Sequence, residues 1–231
     1  MQSVNQIQQG DLFASNETGY SVRQITSQET HYLLLNVHYA KRIPSISYAY
    51  GLFLNGELAG VVTYGKPASA SLVKGVCGPE WSPNVYELNR LCLVNNRPLE
   101  ASRLVGQSLR LLPKPMIVVS YADKAQDHEG IVYRATNFLY TGLSAPHKDW
   151  AIKGMPNAHS RSLGHLFGGK ATLEQIKEHF GDDFYYKQRS RKHRYIIFLA
   201  SKTDKRSLMR DLRYPVLPYP KNAPKTLENK G

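Results

Sequence analysis

Cysteine is scarce in this chain, with only Cys77 and Cys92 among 231 residues. Two cysteines cannot build a disulfide scaffold or fill a zinc site alone, and neither has a histidine beside it. Both are expected to be structural. Long apolar runs are absent as well: none approaches 18 residues and mean hydropathy is -0.42, so no transmembrane helix is expected and a membrane is not an expected partner. The Met1–Phe13 stretch carries Gln2, Gln6, Gln8, Gln9 and Asp11 rather than a basic segment followed by an apolar one, and an intracellular protein is expected. Acidic residues are also few, 18 against 30 Lys and Arg, a net charge of +12. Aromatics are plentiful, with 15 Tyr and 7 Phe, and 42% of the residues are hydrophobic. That excludes a disordered basic tail and leaves room for one sizeable core.

The positive charge is weighted toward the C-terminus. From Lys187 onward, 13 basic residues are opposed by Asp204, Asp211 and Glu228 alone. Such a field attracts polyanions and weakens with salt. Aromatics interleave with the charges in Phe184-Tyr185-Tyr186-Lys187 and His193-Arg194-Tyr195, which points to nucleic acid over a merely solvated face.

The remainder alternates helix and strand signals. Thr26-Ser27-Gln28-Glu29 is a capping-box pattern, and the helix it opens must stop near Ala40–Arg42 because Pro44 disfavours helix at Ile43. Asn55-Gly56 between Tyr48–Leu54 and Glu57–Tyr64 predicts a hairpin. Loops are expected over 65–69 and 75–83, and a strand over Val85–Val94 with Val85, Glu87, Asn89, Leu91 and Leu93 on one side. Glu100–Leu112 predicts an amphipathic helix and Met116–Val119 a strand buried on both faces. A short helix over Gly130–Asn137, a strand over Phe138–Leu143, a helix over Thr172–Phe180 and a strand over Tyr195–Ala200 complete the pattern. The result is a mixed α/β arrangement rather than a strict βαβ series.

The order, together with Gly130-Ile131-Val132-Tyr133-Arg134-Ala135-Thr136-Asn137-Phe138, resembles the GNAT superfamily of N-acetyltransferases. More narrowly, the run from His38-Tyr39-Ala40-Lys41-Arg42 through Tyr48, then Tyr50-Gly51-Leu52-Phe53, is similar to the Mom family of phage DNA-modification proteins. So are Glu87-Leu88-Asn89-Arg90-Leu91 and Ser120-Tyr121-Ala122-Asp123. The resemblance implies a GNAT-like mixed sheet flanked by helices, with a basic C-terminal extension. It divides the chain into an N-terminal segment (1–22), a catalytic domain (23–200) and a basic tail (201–231). It further implies an enzyme of the host cytoplasm that converts adenine in double-stranded DNA to N6-carbamoylmethyladenine and so shields phage DNA from restriction. Two other classes stay open: a GNAT-type acyltransferase acting on a protein or small amine, and a non-catalytic nucleic-acid-binding protein.

The site residues follow from that resemblance together with residue chemistry. Asp123, at the end of a strand, is expected as a base for the N6 amino group, or else as a helix N-cap before 125–129. Tyr133 is expected to protonate the leaving group, with His38 and Tyr39 walling the site and Ser120 donating to the acyl oxygen. The resemblance also implies His38, Tyr39, Asp123 and Tyr133 as an iron set. Lys41, Arg42, Arg134, Arg161, Arg189, Arg191, Lys192 and Arg194 are candidates for phosphate contacts. Tyr48, Tyr50, Tyr64 and Trp81 are candidates to stack on an extruded base. In the superfamily, Q/R-x-x-G-x-G/A cradles the coenzyme A pyrophosphate, whereas Arg97-Pro98-Leu99-Glu100-Ala101-Ser102 places a carboxylate there. Glycyl-tRNA is therefore the favoured donor, with acetyl-coenzyme A as the alternative and tRNA as a second nucleic-acid partner.

Overall fold

The computed structural model describes residues 19–123, 129–155, 158, 163–169 and 171–220. They fall into two units. The first holds the described residues of 19–122, 129–142 and 193–220, and the second holds Asp123 and those of 143–192. Among the described residues no helix is long and apolar enough to cross a membrane.

The main sheet opens with β1 (Tyr20–Ile25) ahead of α1 (Ser27–Tyr32), so a strand rather than a helix leads the domain. The strand starts two residues into the stretch described of the expected N-terminal segment, and its alternation is too short and polar to stand out in sequence. The Thr26 capping box forms as expected, with Glu29 N–H donating to Thr26 Oγ1 and Thr26 N–H to the Glu29 carboxylate. β2 (Tyr48–Leu54) and β3 (Glu57–Gly65) are joined at Asn55 and Gly56, whose φ values of 51° and 87° meet the demand of a type I′ turn.

After α2 (Ala70–Gly75) come β4 (Val85–Leu93), α3 (Glu100–Leu111), β5 (Met116–Asp123), α4 (Ile131–Ala135) and β6 (Leu139–Leu143). The second unit contributes β7 (Lys148–Ile152), α5 (Leu173–Phe180) and β8 (Phe184–Gln188), and the chain returns with β9 (Lys192–Leu199) and α6 (Lys202–Asp211). The sheet order is β1-β2-β3-β4-β5-β9-β6; the first three pairings are antiparallel and β4–β5 is parallel.

Alternation along β5 explains the layering. Met116 and Val118 face a core shared with Leu104, Val105 and Leu109 of α3, while Ile117 and Val119 face a second core with Val76, Cys77 and Leu208. A third cluster holds Leu33, Leu34, Phe53 and Cys92. Leu208 belongs to α6, so the stretch expected as a basic tail is folded onto the first unit as far as it is described. Arg213 N–H donates to Val76 O and Leu217 N–H to Tyr140 O, both at 2.9 Å. The second unit has a small core of its own, Ile152, Leu163, Ala171 and Ile176, beside the antiparallel β7–β8 pair.

Candidate active site

The helix that begins at Ser27 loosens into a π-helical turn over Leu33–Val37 and stops there, several residues earlier than Pro44 requires. His38 caps it in extended backbone. His38 and Tyr39 therefore lie beyond the helix, free of the restriction that neighbours on a helix face apart. Their rings stack at 4.4 Å, with His38 buried and Tyr39 63% exposed. Ala40 N–H donates to His38 Nδ1 at 3.0 Å, which makes Nδ1 an acceptor and leaves the ring proton on Nε2. Burial first, and then the Arg90 charge, lower the pKa of His38 to about 4. The ring is a neutral N–H donor at neutral pH, not a general base.

Arg90 reaches this corner through a break in register. Thr63 pairs with Arg90 but Tyr64 pairs with Leu88, so β4 bulges by one residue. Asn89 fixes the bulge, accepting from Thr63 Oγ1 at 2.6 Å and donating to Ser45 O at 2.8 Å. Side chains that strict alternation assigns to one side, Val85 and Leu91 among them, go to different clusters. Arg90 Nη1 donates to Asn89 O at 2.6 Å. Its Nε is the one buried side-chain nitrogen or oxygen among the described residues with no hydrogen-bond partner. Burial lowers its pKa, as does the charge of Arg42, while Tyr39 and Glu87 act the other way.

Tyr133 stands on α4 and packs against Phe138 and Tyr195 at 5.3 and 5.0 Å. Burial pushes its hydroxyl up to about 12, against a hydrogen bond shared with Ser120; Tyr39 and Glu87 raise it further. Ser120 gives its one hydroxyl proton to Leu88 O at 3.0 Å, so it is not the donor to an acyl oxygen that was expected. Tyr39 and Glu87 are thus common neighbours of Arg90 and Tyr133. The first unit gathers His38, Tyr39, Ser120 and Tyr133 of the expected residues, and adds Arg90 and Glu87, which sequence reasoning missed. The three-residue step from Leu88 to Leu91 inside an otherwise alternating strand was the available signal for the bulge.

Asp123, the last residue of β5, belongs to the second unit, where it accepts from Ser190 Oγ at 2.8 Å and pairs with Lys192 Nζ at 3.3 Å. The helix it was expected to cap lies outside the described residues, as does Arg161. Arg189 lies 3.7 Å from Asp149, and Arg191 Nε donates to Ser144 O at 2.7 Å. Arg194 is held by Thr141, through Nε and Nη2 at 3.0 Å each, and sits 3.4 Å over the Tyr214 ring. Arg134 lies over the Tyr219 ring, and Lys41 and Arg42 are exposed beside His38. Of the aromatics expected to stack on a base, Tyr50 and Tyr64 are buried in the core, Tyr48 packs on Tyr86, and Trp81 donates to Asp211. Tyr39 is the exposed ring at this corner. Both cysteines are buried, and burial pushes Cys77 up to about 11.

The residues do not fit an iron centre. With Nδ1 taken by Ala40 N–H and the proton on Nε2, His38 offers no lone pair outward, and both Asp123 oxygens are engaged. Among the described residues no three His, Cys, Asp or Glu side chains come together. The start of α3 likewise does not fit a pyrophosphate cradle. Leu99 takes φ 68°, and the buried Glu100 carboxylate accepts from Arg97 N–H and Tyr20 O–H, each at 2.9 Å. The chain's own anion occupies the helix N-terminus.

Sheet, bulge and tyrosine cluster can be set beside known proteins. The fold is similar to that of a putative acetyltransferase from Acinetobacter baylyi, with 11% identity, 78% of this chain and 93% of that chain covered, and a TM-score of 0.45. It is also similar to a Bacillus subtilis acetyltransferase in complex with CoA, with 13% identity, 78% and 97% covered, and a TM-score of 0.41. In sequence, the chain is 25% identical over 224 residues to the methylcarbamoylase Mom of Escherichia phage Mu, covering 92% of this chain and 88% of that protein. The model of the Mom protein family matches residues 19–221, from the first strand of the sheet past the last helix that packs on it. A match of that extent takes in every residue of the cluster, and the chain belongs to the Mom protein family.

Proposed function

We propose that this protein is a DNA-modifying, acyltransferase-like enzyme that converts adenine in phage DNA to N6-carbamoylmethyladenine, acting in the host cytoplasm against restriction. The observation that carries this reading is the presence, around the same Tyr39 and Glu87, of a buried, unpartnered Arg90 Nε–H and a protonated Tyr133 in a chain of the Mom family. Acyl transfer needs a donor for the developing oxyanion and an acid for the leaving oxygen or sulfur. Arg90 serves as the first and Tyr133 as the second. Tyr39, exposed and backed by His38, stacks on an adenine turned out of the duplex.

Glycyl-tRNA suits the filled N-terminus of α3 better than a thioester held by its pyrophosphate; acetyl-coenzyme A is the alternative. Adenine N6 attacks the glycyl ester carbon, the ester bond to the tRNA breaks, and the N6 proton passes to the departing 3′ oxygen. The free glycyl amine then attacks adenine C6 through a five-membered ring. The C6–N6 bond breaks, leaving C6–NH–CH2–CO–NH2 with the original N6 as the terminal amide. No redox step is needed.

The test is expression in bacteria with a plasmid, followed by digestion of its DNA to nucleosides and mass spectrometry. Carbamoylmethyl-deoxyadenosine is expected from the native chain. Tyr133→Phe, which keeps the ring, is expected to lower its yield by about 10²–10⁴-fold. Unmodified adenine from the native chain, with an acetylated protein or amine in its place, overturns the reading. In a purified reaction fed glycine labelled on nitrogen, the label is expected on the nitrogen bonded to C6. Label in the terminal amide excludes the rearrangement.

A further inference from the structure

The exposed side of α6 is a separate cationic surface. Ala200, Lys202, Lys205, Arg206 and Met209 line one concavity, and the four helical residues follow i, i+3, i+4, i+7 spacing. They form a single straight stripe roughly 10 Å long. Among the described residues, Lys202, Lys205 and Arg206 have no carboxylate within ion-pair distance. The nearest acid in sequence, Asp204, is turned back to the helix cap, where Ser201 Oγ donates to it at 2.7 Å and Asp204 N–H donates to Ser201 Oγ at 3.1 Å.

The stripe is also placed against the helix's own interest. Lys202 and Lys205 sit in and just past the first turn, where the macrodipole is positive and a cation destabilises the helix. Asp204, the acid of that turn, is held at the Ser201 cap and is in ion-pair contact with neither lysine. The buried side anchors the stripe: Leu208 is fully buried, and Leu212 and Tyr214 pack in the same cluster. The concavity holds no aromatic ring on which an unpaired base could stack, and its apolar members are Ala200 and Met209.

We infer that the Lys202–Lys205–Arg206 stripe of α6 docks the phosphate backbone of double-stranded DNA. The inference rests on the reading of DNA as substrate and adds a docking surface distinct from the tyrosine cluster. Three unpaired cations on a rigid, straight helix complement a duplex that carries one negative charge per roughly 1.7 Å of axis. Each phosphate neutralised releases a counterion, so the contribution is sequence-independent and steep in salt.

The test measures binding of the full chain to a duplex of arbitrary sequence across a salt series. One variant is Lys202→Gln, Lys205→Gln, Arg206→Gln. A charge-matched control is Arg97→Gln, Arg110→Gln, Lys114→Gln, all exposed and on or beside α3, which packs against the side of β5 opposite to the α6 cluster. The α6 variant is expected to lower the slope of log K against log salt by about 2.7. The control is expected to lower it by less than half as much. Thermal midpoints are expected to hold or rise, because the substitutions remove charges that oppose the dipole. Equal losses in both variants, no loss in the α6 variant, or a loss seen with tRNA but not with the duplex would each overturn the inference. Binding to an arbitrary duplex does not depend on adenine modification. An unmodified plasmid therefore counts against the proposed function alone, and an unchanged slope against the α6 surface alone.

Discussion

His38 carries a consequence for stability that its neighbours set. Buried beside Arg90 and accepting from Ala40 N–H, it stays neutral down to about pH 4, whereas an unconstrained histidine takes its proton near 6.5. Between those values the unfolded chain binds a proton that the folded chain refuses. Its contribution is thus complete above pH 6.5 and is lost as pH falls toward 4. The urea midpoint of the native protein is expected to drop more steeply from pH 7 to pH 4 than that of His38→Gln. Parallel profiles would show that the imidazole titrates normally. Arg90 carries the opposite kind of information. A donor left buried without an acceptor costs about 1–3 kcal/mol, and a position that merely packed β4 would not retain that cost.

At the scale of elements, two glycines make opposite predictions. Gly130, with φ 77°, opens α4, and a Cβ built there would lie 2.5 Å from Cζ of the buried Tyr195 ring. Tyr195 packs against Tyr133, so Gly130→Ala is expected to cost roughly 1–3 kcal/mol in backbone strain alone and to disturb the acid. Gly106 lies inside α3, where a Cβ would meet Thr136 Cγ2 at 3.6 Å, an ordinary contact. Gly106→Ala is expected to stabilise by about 0.5–1 kcal/mol, read from the same denaturation curves.

The elements that sequence reasoning placed well are those announced by local chemistry. They include the Thr26 capping box, the Asn55-Gly56 turn, the α3 stripe, the β5 run and the helix over Thr172–Phe180. The elements it missed take their reason from distant residues. β1 is polar on its own and is ordered by pairing Tyr20–Ile25 with Leu54–Ala49. β8 is Phe184-Tyr185-Tyr186-Lys187-Gln188, read as a charged aromatic patch until β7 supplies its partner. α6 hid behind its charge, because Leu208 is the single fully buried residue in ten. Within the site, His38, Tyr39, Ser120 and Tyr133 were legible through motif resemblance. Arg90 was not, since a bulge is a relation between two strands.

For the molecule as a whole, part of the +12 charge is carried by a folded helix. Lys202, Lys205, Arg206 and Arg210 ride on a helix that closes the second core, so charge and stability are carried by the same segment. Leu208→Ala is expected to cost about 2–5 kcal/mol by lowering the denaturation midpoint, with the slope of the transition unchanged. A shift within experimental error would return residues 201–220 to the status of an appendage. Ser144 and Lys192 tie together the two ends of the longer segment of the second unit. Ser144 N–H donates to Lys192 O at 2.8 Å, and Lys192 N–H donates to Ser144 Oγ at 3.0 Å, where β6 ends and its sheet neighbour β9 begins. The neck is therefore tied off like a drawstring. Lengthening, trimming or exchanging what lies between Ser144 and Lys192 alters a closed loop whose entropic cost grows only with the logarithm of its length. The length of chain between these two residues is therefore a cheap quantity to change, provided that Ser144 and Lys192 stay paired.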